Sequence, residues 1–261
     1  MSELKRISSR DNPFFKSLLK LVSSAKERRT TEQTLLDGPH LLRSYIEAGG
    51  KPLHLLLNQQ AVQNPEIVGL LESCADVTLT CLDDALFTQL SELKTPNGLL
   101  ALINIPQPSV NAAHSQFGLL LEDIQDPGNL GSILRSAAAA GCDAVFLSKG
   151  CADVWSPKVL RAGMGGHFVL QIHEDAELLK VAREFTGKIL AASLQEKKSL
   201  YGCNLRGKLA FAIGNEGAGL TTPLQDAVQE RFIIPMPGKV ESLNAAAATA
   251  VCLFEAVRQR S

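Results

Sequence analysis

No apolar run in this 261-residue chain reaches the roughly 18 residues that a membrane-crossing helix needs. The opening Met1-Ser-Glu-Leu-Lys-Arg-Ile is charged and lacks a following apolar stretch, which predicts no signal peptide and a cytoplasmic location. Six cysteines stand at 74, 81, 142, 151, 203 and 252 with no Cys-x-x-Cys pair and no histidine at ligand spacing, so neither a metal nor a disulfide framework is expected. Cys142 and Cys252 lie in apolar surroundings and read as small buried hydrophobes. No glycine-rich turn ends in Gly-Lys-Ser/Thr, which excludes a P-loop. None has the glycine spacing of the dinucleotide fingerprint, which speaks against a nucleotide-dependent oxidoreductase. His40, His54, His114, His167 and His173 show no spacing that suggests a nucleophilic triad. Repeats and low-complexity tracts are missing too.

Neither sign of charge dominates the chain, whose net charge is −1, but the distribution is uneven. Residues 1–30 carry +5, with Lys5, Arg6, Arg10, Lys16, Arg28 and Arg29 among the basic side chains, whereas residues 31–112 carry −6. A local basic cluster attracts phosphates even on a neutral molecule. A solvated helix face explains the same residues, and composition alone leaves both readings open. Apolar residues at 45% and charged ones at 20% are ordinary for a globular protein, and the length suits one large domain or two smaller ones.

Hydrophobic spacing predicts an amphipathic helix over Asn12–Lys26, with Phe15, Leu18, Leu19 and Val22 on one face. A strand beginning at Leu35 breaks at Gly38-Pro39, and a helix from Pro39 to Ala48 stops at Gly49-Gly50. Strands over 53–57, 77–79 and 99–105 alternate with helices over 65–73 and 83–90, as expected of a small layered α/β domain. The polar, proline-bearing segment 107–116 reads as a linker between a first domain, 1–106, and a second, 117–261. The second domain alternates regularly: strands at 117–123, 143–147, 168–172, 188–193, 209–213 and 231–234, helices at 129–140, 157–162, 175–185, 221–228 and 242–258. Such crossovers predict a parallel α/β sheet with helices on both faces.

Three stretches carry candidate chemistry, each after an apolar run and each leading into a helix. The first is Glu122-Asp-Ile-Gln-Asp-Pro-Gly-Asn-Leu-Gly-Ser-Ile-Leu-Arg135. Its turn residues place Asn129 as a natural N-cap, with Arg135 about one and two-thirds turns further along the helix. The second, Ile213-Gly-Asn-Glu-Gly-Ala-Gly-Leu220, lets backbone approach a ligand without interference from Cβ atoms. The third, Ile234-Pro-Met-Pro-Gly-Lys-Val-Glu-Ser-Leu-Asn244, runs into Ala245-Ala-Ala-Ala, a strong helix former for which Ser242 is a candidate N-cap.

Together, over roughly Phe117–Arg260, these stretches resemble the SpoU (TrmH-like) branch of the SPOUT methyltransferases. The resemblance implies transfer of a methyl group from S-adenosyl-L-methionine to a ribose 2′-hydroxyl of RNA. It also implies a C-terminal sheet tied into a trefoil knot, and a homodimer through that domain. The first domain loosely resembles the ribosomal-protein-L30e-like module that often precedes such a domain. By resemblance Arg135, Asn129, Glu216, Ser242 and Asn244 form the catalytic set. Gly214, Asn215, Glu216, Gly217, Ile234, Met236, Ser242, Leu243 and Ala246 hold the cofactor. Many relatives carry a serine at the position of Ala246, so no hydroxyl function is assigned there. Lys5, Arg6, Arg10, Lys16, Arg28, Arg29 and Arg135 are the expected RNA contacts. His167, in Gly163-Met-Gly-Gly-His-Phe, resembles a loop beside the family's active site, although a buried or solvent-facing histidine accounts for it as well. The expected substrate is 23S ribosomal RNA; the alternatives are transfer RNA, or a non-catalytic RNA-binding or ribosome-assembly protein on the same fold.

Overall fold

The computed structural model describes residues 5–93, 95–215 and 217–261. These form two compact units: 1–106 together with 155–168, and 107–154 together with 169–261.

The first unit contains β1 (Lys5–Ile7), α1 (Pro13–Ser23), α2 (Ala25–Thr31), β2 (Gln33–Asp37), α3 (Pro39–Glu47), β3 (His54–Leu57), α4 (Pro65–Glu72), β4 (Thr78–Leu82), α5 (Asp84–Leu90) and β5 (Leu99–Asn104). Its five-stranded sheet runs β1-β4-β3-β5-β2. β1 and β3 pair parallel with β4, and β5 pairs antiparallel with β3 and β2. Phe15, Leu18 and Leu21 of α1 and Leu86, Phe87 and Leu90 of α5 bury one face of this sheet against Leu35, Leu56, Leu82, Leu100 and Leu102.

The helix expected over Asn12–Lys26 is broken. α1 ends at Ser23, and Ser24, extended at φ −127° and ψ 113°, caps α2 by accepting from the Glu27 backbone N–H. That break leaves carbonyls at the end of α1 without helical partners. Arg28 folds back to supply them, donating from Nη1 to the Leu21 and Val22 oxygens, the latter at 3.1 Å. At 4% exposure Arg28 is structural, which corrects its reading as an RNA contact.

The second unit holds β6 (Phe117–Leu121), α6 (Pro127–Ala139), β7 (Ala144–Leu147), β8 (Gln171–His173), α8 (Leu178–Glu184), β9 (Lys188–Ala192), β10 (Leu209–Ile213), α9 (Thr222–Ala227), β11 (Glu230–Phe232) and α10 (Ala245–Arg260). The six strands are ordered β11-β9-β10-β6-β7-β8, all parallel. β6 and β10 are buried along their whole length, as the central strands of a sheet covered on both faces must be. Leu178, Val181, Ala182, Phe185 and Leu224 pack on one face against Leu120, Phe146, Ile189 and Ala210. Residues 107–116 form no strand or helix and belong to this unit.

The one departure from a division at the linker is the segment 155–168, which carries α7 (Pro157–Gly163) and joins the first unit. Trp155 is buried, and its carbonyl accepts from Thr34 Oγ1 on β2 at 2.9 Å. His167 is buried beside the rings of Trp155 and Phe168. Phe168 in turn meets Tyr45 of α3 edge-on at 5.1 Å. A hydrogen bond from Thr34 and the ring of Tyr45 thus join this stretch to the rest of the first unit.

At the end of β2, Asp37 accepts from Ser91 Oγ at 2.6 Å, but its Oδ1 is buried with no hydrogen-bond partner among the described residues. Burial raises its carboxyl above the ordinary 3.8, more than the Ser91 hydroxyl, the Glu92 backbone N–H and Arg161 lower it. A raised carboxylate favours folding while protonated, and that contribution is lost as pH climbs through the folded-state value. Asp37→Asn removes the titration. Its melting temperature should therefore gain on the wild type between pH 4 and pH 7.5, measured by parallel thermal scans; equal slopes would contradict it.

Candidate active site

The carboxyl ends of parallel strands are where open α/β sheets bind ligands. Here β6 pairs with β10 so that Leu121 lies opposite Ile213, and both strands deliver a polar loop at the same edge. After β10, Gly214 turns so tightly that a Cβ there would lie 2.2 Å from the Gly219 carbonyl carbon, so only glycine fits. The loop closes on itself: the Gly219 N–H donates to the Asn215 carbonyl at 2.9 Å. Asn215 Oδ1 accepts from the Gly217 and Ala218 N–H groups at 2.9 and 3.0 Å, and its Nδ2 donates to the Asp123 carbonyl at 3.0 Å. The Asn215 side chain therefore shapes the loop and joins it to the loop after β6.

This loop walls a cavity of about 320 Å³. Gly214, Asn215, Gly217, Ile234, Met236, Ser242 and Leu243, all expected from sequence to hold the cofactor, line it. Ala246 does not; Ala245 and Ala248 of the same helix do, because Ala246 projects from another side of α10. Glu216, expected in both the cofactor and the catalytic sets, lies outside the described residues. Sequence reasoning missed Ala192, Ser193, Leu194 and Gln195 at the end of β9, which also line the cavity. The only signal for them is strand order, since β9 is the neighbour of β10. Apolar walls at Ile213, Ile234, Met236, Leu243 and Ala248, with backbone polar groups along 193–195, 214–215 and 217–219, suit a flat heteroaromatic ring carrying a sugar.

The first and third motifs meet through α6 and α10, which pack together. The N-cap of α6 is Asp126, which accepts from the Asn129 N–H at 2.7 Å, so Asn129 lies inside the first turn. Pro127 at the first helical position explains the shift, since its fixed φ starts the helix earlier. The N-cap of α10 is likewise Asn244 and not Ser242; its Oδ1 accepts from the Ala246 and Ala247 N–H groups at 2.9 and 3.3 Å. The other half of that amide, Nδ2, donates to Asn129 Oδ1 at 2.8 Å. One side chain thus caps a helix and ties two motifs far apart in sequence. Ser242 is exposed at the cavity rim, and Arg135 is exposed further along α6.

Of the expected RNA contacts in the first unit, Lys5, Arg10 and Arg29 are exposed. Arg6 is exposed and paired with Asp83 at 2.8 Å, and Lys16 with Asp11 at 2.8 Å. Cys142 and Cys252 are buried, and burial pushes both thiols up. Among the described residues no three metal-ligating side chains come together.

A parallel sheet with a glycine-walled cavity at its carboxyl edge, next to two packed helices tied by a pair of asparagines, defines an α/β enzyme site for a nucleoside-bearing cofactor. The chain belongs to the SpoU rRNA Methylase family, whose profile matches residues 116–254. Residues 12–101 match the MRM3-like substrate binding domain. The chain is 30% identical to the 23S rRNA (guanosine(2553)-2′-O)-methyltransferase RlmP of Bacillus subtilis, over 96% of this chain and 98% of that protein. It is 29% identical to human mitochondrial rRNA methyltransferase 3, over 93% and 71% of the respective chains. Among solved structures, an RNA 2′-O ribose methyltransferase superposes with a TM-score of 0.82 at 31% identity, covering 97% of this chain and 98% of that one. The SpoU methyltransferase AviRb of Streptomyces viridochromogenes, in complex with AdoMet, superposes at 0.85 and 27% identity, covering 95% and 98%.

The double role of Asn244 separates two variants. Asn244→Ala removes the cap, which costs about 1 kcal/mol, and should lower both melting temperature and methylation rate. Asn244→Asp retains an acceptor at the helix start, where negative charge is favoured, but faces Asn129 Oδ1 with a second acceptor. It should melt like the wild type and still lose single-turnover methylation by tenfold or more. Equal activity in the aspartate variant would rule out the tie to Asn129.

Proposed function

We propose that this protein is an S-adenosyl-L-methionine-dependent RNA methyltransferase that modifies a ribose 2′-hydroxyl in 23S ribosomal RNA. The observation carrying this reading is the glycine-walled cavity, whose lining residues Leu243 and Ala245 flank the Asn244 that pairs with Asn129. The match to a complete rRNA ribose methyltransferase over nearly its whole length supports the substrate class. The substrate-binding-domain match at residues 12–101 supports an RNA-recognising first unit, with Lys5, Arg6, Arg10, Lys16 and Arg29 as its basic surface. No helix among the described residues is long and apolar enough to cross a membrane, in keeping with action on RNA in the cytoplasm.

The cofactor supplies a methyl group already activated on a sulfonium. The protein must bring a ribose oxygen into line with it, and positioning of this kind accounts for up to about 7–11 kcal/mol of a barrier. Arg135, exposed on α6, clamps the phosphate next to the target ribose through its planar fork of donors and orients the 2′-hydroxyl. A guanidinium is only a donor at neutral pH, so the hydroxyl proton leaves to water. Asn129, Ser242, Asn244 and Glu216 arrange the acceptor side. The small residues of α6 and α10 allow the two helices their close approach, and Phe254 of α10, 49% exposed, offers an apolar contact to a second copy of the chain.

Radiolabelled S-adenosyl-L-methionine and unmodified RNA from a strain lacking the protein should yield label in the large-subunit rRNA fraction, protected from alkaline cleavage at one linkage. Label confined to transfer RNA would replace the substrate, and cofactor binding without transfer to any fraction would favour a non-catalytic RNA-binding protein. Arg135→Lys should reduce turnover at saturating RNA by a hundredfold or more; near-normal turnover would remove the phosphate clamp. Light scattering at micromolar concentration should report twice the chain mass, whereas a monomer would contradict the dimer.

A further inference from the structure

The cofactor loop 214–220 has a second anchor that the three motifs do not explain. At its far end the Thr221 backbone N–H donates to Glu122 Oε2 at 2.7 Å, and Thr221 Oγ1 donates to Glu122 Oε1 at 2.8 Å. Each oxygen of one carboxylate therefore holds one donor of one residue. Thr221 is the N-cap of α9, yet its side chain makes no capping hydrogen bond. A threonine at that position ordinarily turns its hydroxyl to its own helix. Here the hydroxyl is committed to Glu122 instead.

The near end of the loop is held by Glu122 again and by its neighbour Asp123, at the end of β6. The Glu122 N–H donates to the Ile213 carbonyl at 2.9 Å, continuing the β6–β10 ladder. The next carbonyl, that of Asp123, accepts from Asn215 Nδ2. Asp123 is itself locked: φ is +55°, Ser148 Oγ donates to its Oδ1 at 2.7 Å, and its backbone N–H donates to Ser148 Oγ at 2.9 Å. Between these two anchors lie Gly217, Ala218 and Gly219, whose backbone walls the cavity. Glycine loses more conformational freedom on ordering than any other residue, so a loop of this composition must be held from both ends to be pre-formed.

We propose that Glu122 is a positioning residue for the cofactor: by gripping Thr221 it holds the glycine loop in its binding shape and ties that shape to the start of the motif carrying Asn129 and Arg135. This rests on the methyltransferase reading of the cavity. Glu122 touches the loop's end and acts through it. Without the grip, the cofactor must order the loop as it binds, so affinity falls while the acceptor-side residues keep their places.

Glu122→Gln is close to isosteric but removes the carboxylate charge from both hydrogen bonds, leaving its N–H₂ to a hydroxyl that must turn from donor to acceptor. Calorimetric titration of the full-length protein with S-adenosyl-L-methionine, and with its demethylated product, should show affinity weakened on the order of tenfold, in line with losing charge-assisted hydrogen bonds. The KM for cofactor should rise in parallel, with kcat at saturating cofactor within about threefold of wild type and RNA affinity unchanged. Thr221→Ser keeps both donors and should bind cofactor like the wild type, whereas Thr221→Val, which loses only the hydroxyl, should fall between. Circular dichroism below the melting transition keeps folding defects apart from these effects. Cofactor binding by Glu122→Gln within twofold of wild type, or equal losses in the serine and valine variants, would overturn the inference and leave the methyltransferase reading standing. Failure of the wild type to bind either compound would overturn that reading and this one with it.

Discussion

The in-register parallel pairing of β6 with β10 is the contact on which the site depends. Leu209 through Ile213 lie opposite Phe117 through Leu121, and every residue of both strands is buried. A slip of one residue would turn each side chain to the opposite face, so the covered sheet admits one register. That register brings Glu122 and Asp123 level with Gly214 and Asn215. The loops share hydrogen bonds because the strands end together. The cavity is a consequence of two apolar strands stopping at the same height.

The second support is helical. α6 buries Leu130, Gly131, Ile133 and Leu134, while α10 buries Thr249, Cys252, Leu253 and Ala256, and the two helices pack together. Alanines at 137–139 of α6 and 245–248 of α10 form helix readily. Thr249 directs its hydroxyl to the Ala245 carbonyl at 2.7 Å, so a buried polar group is satisfied within its own helix. Asn244 then needs only its two amide ends to cap α10 and reach Asn129. An aspartate could serve the cap but not the donor half, which is a chemical reason for asparagine at this position.

In the first unit, charge and structure divide the basic residues between them. Arg28 is taken up by carbonyls at the end of α1, whereas Arg10 and Arg29 remain exposed. Salt bridges such as Arg6–Asp83 and Lys16–Asp11 have their basic partners exposed and contribute little to stability, so such residues can exchange a carboxylate for a phosphate at small cost. The segment 155–168 is a different case. It lies inside the stretch matched by the methylase profile, yet its Trp155 carbonyl accepts from Thr34 and its Phe168 ring meets Tyr45, both in the first unit.

Local chemistry in the sequence determined much of this. Alternating apolar runs and helix starts placed the elements of the second unit to within a few residues, because buried parallel strands and their crossovers carry strong periodic signals. The glycine spacing at 214–219 marked a backbone-lined turn, whereas Met236, Ser242 and Leu243 came only from the third motif's resemblance to the family. What tertiary structure alone decided was which neighbour each group would meet. Two candidate caps stand within a few residues of each other at both α6 and α10, and only packing selects Asp126 and Asn244. Arg28 looks like any surface arginine until the break at Ser24 turns it onto α1. The cavity wall at Ala192–Gln195 and the grip of Glu122 on Thr221 depend on strand order and register, which join residues that no local pattern relates. Short-range forces write periodicity and turns into the chain; contacts between distant segments exist only once the sheet has chosen its order.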